Sequence, residues 1–149
     1  MIEKVYVHYG DCSFNKEKFK PIQNRKFWTK PIGGLWGSPL DTDWGWKDWC
    51  LDENFRVDRL KDSFKFTLMN SARMLSITSP EDFDPLPKLE GSDVFKSMVC
   101  LDFEELCKNY DAIEVAFGGD LDFETLLGWD CDSILVFNPD VVREVGSKV

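Results

Sequence analysis

Apolar residues along this chain come in short runs separated by polar, glycine and proline positions, and each run predicts a short element. Lys4 to Tyr9 alternates around Val5, Tyr6 and Val7, the period of a short buried strand that stops at Gly10. Leu35 and Trp36 suit a second strand braked by Pro39. Phe64–Leu68 and Arg73–Thr78 are β-like runs on either side of Asn70-Ser71, which predicts a hairpin. Tyr110–Ala116 reads as a strand ended by Gly118-Gly119. Ser133–Phe137, SILVF, is the clearest buried strand, closed by Asn138-Pro139.

Helical signals are short. Asp43 is placed to cap a helix running through Trp49 to Asn54, with Gly45 working against it. Ser79-Pro80-Glu81-Asp82 has a cap residue followed by proline at the first helical position. Asp102 to Tyr110 starts on a capping box, Asp102 with Glu105, and turns Leu106 inward. Asp122–Leu127 reads as a further short helix, and Lys16–Lys20 as a loop or short helix in a basic, polar stretch from Asp11 to Lys30. Strands mixed with short connecting helices, and no internal repeat, predict one α+β domain over residues 1–149 with at least five strands.

Composition narrows the partners. The 149 residues carry a net charge of −9, which disfavours DNA, RNA and anionic membrane surfaces, because affinity there comes from Lys and Arg displacing counterions. Five cysteines without a CxxC pair suggest neither a disulfide framework nor a zinc knuckle, and reduced thiols fit a cytoplasmic protein. The start, MIEKVYVHYGD, has no apolar leader core, and no apolar run approaches the length that crosses a membrane. Aromatic residues, at 14%, are abundant. The segment WGWKDW sets Trp44, Trp46 and Trp49 close together, which opens one functional reading, a noncatalytic acidic module docking on a protein through tryptophan.

Candidate chemistry gathers at strand ends. His8 is the sole histidine, which rules out a His-based metal cage, and it is followed by Tyr9, Gly10 and Asp11. Glu114 interrupts the apolar strand AIEVA, where a charge needs a partner or a solvated cleft. Asp130 and Asp132 flank Cys131 just before SILVF, so that one of them points inward at the strand's mouth. Gly37-Ser38-Pro39 lacks the second glycine of a nucleophile elbow, and PIGGLWGSP has the spacing of neither a phosphate loop nor a dinucleotide fingerprint. Three glycines in nine residues there imply a sharp turn or a close approach to bare backbone.

Three of these segments, taken in order, resemble the ADP-ribosyltransferase superfamily: VYVHYGD its first strand motif, GGLWGSP its second, and DCDSILVFNPDVV its last strand. The resemblance implies an α+β domain with a mostly antiparallel, split β-sheet core. It also implies NAD as substrate and transfer of ADP-ribose to a protein or nucleic acid acceptor, a protein being favoured by the charge, as in a toxin or phage counter-defence effector. By this likeness His8, Tyr9, Gly10, Leu35, Trp36 and Ser38 would hold NAD, with His8 on the ribose, Gly10 on the nicotinamide amide and Trp36 with Ser38 as the pocket wall. Asp132 would steady the positive charge on the ribose as nicotinamide leaves. The family's usual acid is Glu, one residue nearer the proline, where this chain has Ser133; Glu114, or binding of nucleotide without transfer, therefore stands beside Asp132.

Overall fold

In the computed structural model, which describes residues 4–25, 29–89, 99–120, 122–123 and 128–146, the chain forms a seven-stranded mixed sheet with few short helices. The strands are β1 (Tyr6–Tyr9), β2 (Leu35–Pro39), β3 (Ser63–Leu68), β4 (Met74–Ile77), β5 (Ala112–Val115), β6 (Ser133–Val136) and β7 (Val142–Glu144). They lie in the order β4-β5-β6-β2-β1-β3-β7. β4 and β5 run parallel, and the other neighbours antiparallel. The α+β class read from the sequence holds at this level.

β5 and β6 are buried on both faces, as their predominantly apolar residues suit. On one face Ile113, Val115 and Leu135 pack with Phe103, Phe123 and Trp129; on the other, Ala112, Ile134 and Val136 pack with Tyr6, Leu35 and Phe66. Helices with described bounds are α1 (Trp46–Glu53), between β2 and β3, and α2 (Phe103–Leu106), a single turn capped by the Asp102 carboxylate on the Glu105 amide.

The expected hairpin of Phe64–Leu68 with Arg73–Thr78 does not form. A turn is present, with the Ala72 amide donating to the Met69 carbonyl at 2.9 Å. β3 nevertheless pairs with β1 and β7, while β4 crosses to the opposite edge and pairs with β5. Lys16–Lys18 is a single 3-10 turn capped by Asn15. α1 begins at Gly45 rather than on an Asp43 cap: the Asp48 carboxylate accepts from the Gly45 amide at 2.9 Å, and Asn54 closes the helix in the left-handed conformation. In the expected Asp122–Leu127 helix, residues 124–127 lie outside the described residues; Asp122 and Phe123 are helical.

Asp111 fastens the start of β5 to its neighbours. Its carboxylate accepts from the Arg73 amide (2.8 Å), the Arg73 guanidinium (3.1 Å) and the Asn138 side chain (3.2 Å). Its carbonyl takes the Phe137 amide at 2.7 Å. Arg73 holds the Asp111 carboxyl below the usual carboxylate range. A lowered native pKa adds stability that is complete above the unfolded value, about 4, and is lost as pH falls through the native one. Urea midpoints measured on acidification are expected to fall less steeply for Asp111→Asn than for the native chain, from a lower starting value.

Candidate functional site

β1 and β2 register at Tyr6 with Pro39 and at Val7 with Ser38. Beyond Val7 the Trp36 carbonyl instead accepts from His8 Nδ1 at 2.7 Å, so a side chain takes a backbone acceptor at the opening of the seam. A cavity of about 290 Å³ lies there, near the lower end of the range for small-molecule sites, ~300–1,000 Å³. His8, Tyr9 and Gly10 from β1 and its end, Trp36 and Gly37 from β2, and Trp46 from α1 contribute to its walls. Trp129, Asp130, Cys131 and Ser133 come from the mouth of β6, and Lys30, Arg56 and Arg59 from flanking loops.

Packing fixes the aromatic walls. Trp36 meets Trp129 edge-on at 4.7 Å between ring centroids, and Trp129, 1% exposed, stacks on Phe103 at 6.3 Å. Trp46 is held at its amide, which donates to Ser38 Oγ at 2.9 Å. Cys131 lies under the cleft, where burial pushes its thiol up to about 11, so it stays protonated near neutral pH and is a weak nucleophile. Burial, with the Asp48 charge, also raises the Tyr9 phenol, which remains neutral there.

Cations mark the cleft of this acidic chain. Lys30 Nζ donates to Asp130 at 2.6 Å. The Arg59 guanidinium donates to the Gly10 carbonyl at 3.3 Å, and Arg56 sits over the Phe55 ring at 5.1 Å. Among the described residues neither guanidinium is ion-paired, leaving two planar, permanent charges facing the cleft. Arg56 also adopts the left-handed conformation at φ 46°, which is costly for a residue with a side chain and recurs at functional sites.

The residues named from the sequence divide. His8, Tyr9, Gly10 and Trp36 meet at the cleft; Leu35, Ser38, Glu114 and Asp132 are not among its walls. Leu35 is buried in the core on the other face and lines a second cavity of about 280 Å³, which His8 also borders. Ser38 anchors α1. The Glu114 carboxylate, in the interior strand β5, accepts from the Tyr6 phenol at 2.5 Å and from Lys4. The Asp132 carboxylate accepts from Thr42 Oγ1 (2.7 Å) and from the Phe117 amide (2.8 Å), tying the loop before α1 to the end of β5. The carboxylate in the cleft wall is Asp130. His8 is also engaged at Nε2, which lies 2.9 Å from the Asp11 carboxylate and donates to it when the ring carries its second proton.

Arg56, Arg59, Lys30 and Trp129 carried no signal in the sequence: their place in the cleft depends on the 3-10 turn Val57–Lys61 and on loop paths that periodicity does not report. Among the described residues no group of three His, Cys, Asp or Glu side chains is placed to hold a metal ion, and no helix is long and apolar enough to cross a membrane. No protein family, curated protein or solved structure matches the chain.

Proposed function

We propose that the cleft binds a nicotinamide dinucleotide and that the protein is an NAD-dependent, ADP-ribosyltransferase-like enzyme of the cytoplasm acting on a protein. One observation carries this reading. Four residues that the family resemblance puts on NAD, His8, Tyr9, Gly10 and Trp36, line a single cleft, joined there by Arg56 and Arg59 in a chain of net charge −9.

The residues suit such a substrate. Arginine matches phosphate oxygens in the plane of its fork, Trp36 and Trp46 offer flat apolar faces, and the Gly10 carbonyl holds the Arg59 guanidinium at the cleft. A bound dinucleotide supplies a ribosyl group whose bond to nicotinamide breaks, the bonding pair leaving with the base. The chain's part is to grip, orient and neutralise. Arg56 and Arg59 hold the pyrophosphate. His8 keeps the Trp36 strand in place. Asp130, steered by Lys30, faces the positive charge that grows on the ribose, the task the likeness assigned to Asp132. An acceptor nucleophile closes the reaction and gives up its proton.

Calorimetry with NAD⁺ tests the binding, and release of nicotinamide tests the chemistry. The Arg56→Ala, Arg59→Ala pair is expected to weaken binding by about tenfold or more, equal to ~1.4 kcal/mol. Asp130→Asn is expected to keep binding and lose turnover by about 100-fold, the scale of one transition-state electrostatic contact. Native protein that fails to bind NAD⁺ at millimolar concentration would overturn the reading; binding without turnover would leave a nucleotide-binding domain.

A further inference from the structure

α1 and the turn after it carry an aromatic ridge that begins inside the cleft and ends outside it. Trp46, a cleft wall, stacks on Trp49 with ring centroids 5.1 Å apart and planes 20° from parallel. Phe55 meets both rings edge-on, at 6.1 Å and 5.3 Å. Phe55 is 39% exposed and Val57, two residues on, 38%. Stacked indoles that extend from a site to solvent present a rigid apolar surface whose burial loses little side-chain entropy.

The charge around the ridge chooses its occupant. Between residues 41 and 59 the exposed acids Asp41, Asp43, Asp48, Asp52, Glu53 and Asp58 outnumber the exposed cations Lys47, Arg56 and Arg59, of which Arg56 lies over the Phe55 ring. This run of acid repels nucleic acid phosphates. It also opposes a second copy of the chain, because a two-fold contact would set the same acids against each other. A segment bearing Lys or Arg among apolar residues satisfies both features at once, its cations meeting the helix and its apolar side chains meeting Trp49 and Phe55.

We infer that the ridge Trp46–Trp49–Phe55 docks an extended basic segment of a protein and leads it to the mouth of the cleft, as the acceptor of the transferred group. The segment's role as acceptor rests on the enzyme reading; its binding does not. Trp46 belongs to both surfaces, so a segment lying along the ridge ends beside Asp130 and Arg59, where a nucleophile must arrive.

A fluorescent peptide of about a dozen residues alternating Arg and Leu, followed by anisotropy, tests this directly. The native protein is expected to bind it and to ignore the same peptide with Glu for Arg. Phe55→Ala and, separately, the Asp52→Lys, Glu53→Lys pair should each weaken binding about tenfold or more, with NAD⁺ calorimetry unchanged in the charge-reversed pair. Those two surface lysines leave the apolar packing alone, so the test survives if Phe55→Ala unfolds. Equal binding by native and charge-reversed protein, loss in the charge-reversed pair but not in folded Phe55→Ala, preference for a single-stranded oligonucleotide, or self-association abolished by the ridge changes would each overturn the inference. Peptide binding without NAD⁺ binding would sink the enzyme reading and leave the ridge; NAD⁺ turnover without peptide binding would do the reverse.

Discussion

Gly33→Ala is expected to lower the unfolding midpoint by about 10 °C, from a loss of about 3–4 kcal/mol, at roughly 2–4 °C per kcal/mol for a chain of this size. Two independent causes add. Gly33 sits at φ +89°, and a side chain in the left-handed region costs about 1–2 kcal/mol. A Cβ there would also lie 2.2 Å from the Pro21 carbonyl oxygen and 2.6 Å from that of Lys20, backbone atoms that cannot swing aside. Relief of such overpacking typically costs another 1–3 kcal/mol or so. The contact is built in, because Gln23 and Ile32 exchange both backbone hydrogen bonds at 3.0 and 2.9 Å, and Gly34 donates to Lys20 at 2.8 Å. Gly119→Ala is the control: its φ is +80°, with nothing within 4 Å of the added carbon, so only the conformational part should appear. Calorimetric melts of the two variants side by side separate clash from strain; equal losses would show that the approach of the two loops matters little.

Trp129→Ala should cost about 3–5 kcal/mol, the range for removing a large aromatic side chain from a core. Trp129 is 1% exposed, packs between Trp36 and Phe103, and donates from Nε1 to the Thr29 carbonyl at 3.4 Å. Against a typical total of ~5–15 kcal/mol that is a large share of the stability. Trp129→Phe keeps a ring but frees space behind Trp36, and is expected to fold with a lower midpoint and a weaker grip on NAD⁺. Chemical denaturation gives the first quantity and calorimetry the second. A Trp129→Phe protein with native affinity would show that Trp36 holds its pose without that support.

What the sequence disclosed follows from what periodicity can carry. SILVF and AIEVA were legible as strands because both faces are covered and their residues are mostly apolar, with Glu114 the one charge. The turn at Asn70-Ser71 was legible as well, but turn residues state that a chain reverses and not which strand edge receives it, so β4 was misassigned to a hairpin. The pair Asp130 and Asp132 failed for a related reason. Residues two apart on a strand share a face, and only the bend at Cys131 and Asp132, ahead of β6, sends one carboxylate to the cleft and the other to Thr42. Trp36 and Ser38 share a face of β2, yet the hydroxyl went to the first turn of α1, a helix whose start depends on a tertiary contact. The PIGG half of PIGGLWGSP proved to be about backbone meeting backbone at residues 20–23, while its Trp36 became the wall of the cleft.

The sheet order bears on how the molecule is assembled during synthesis. β1, β2 and β3 emerge first and are able to pair among themselves, and β4 with β5 forms a second, parallel unit that pairs with no strand of the first. β6, made after both, is the strand that lies between them, bonded to β2 on one side and β5 on the other. Closure therefore waits for residues 133–136 to slot into the centre, a step dominated by contacts distant in sequence and slow for that reason. Because Trp129, Asp130 and Cys131 ride in on the same segment, the cleft is complete, and any binding by it arises, only once the last central strand is in place.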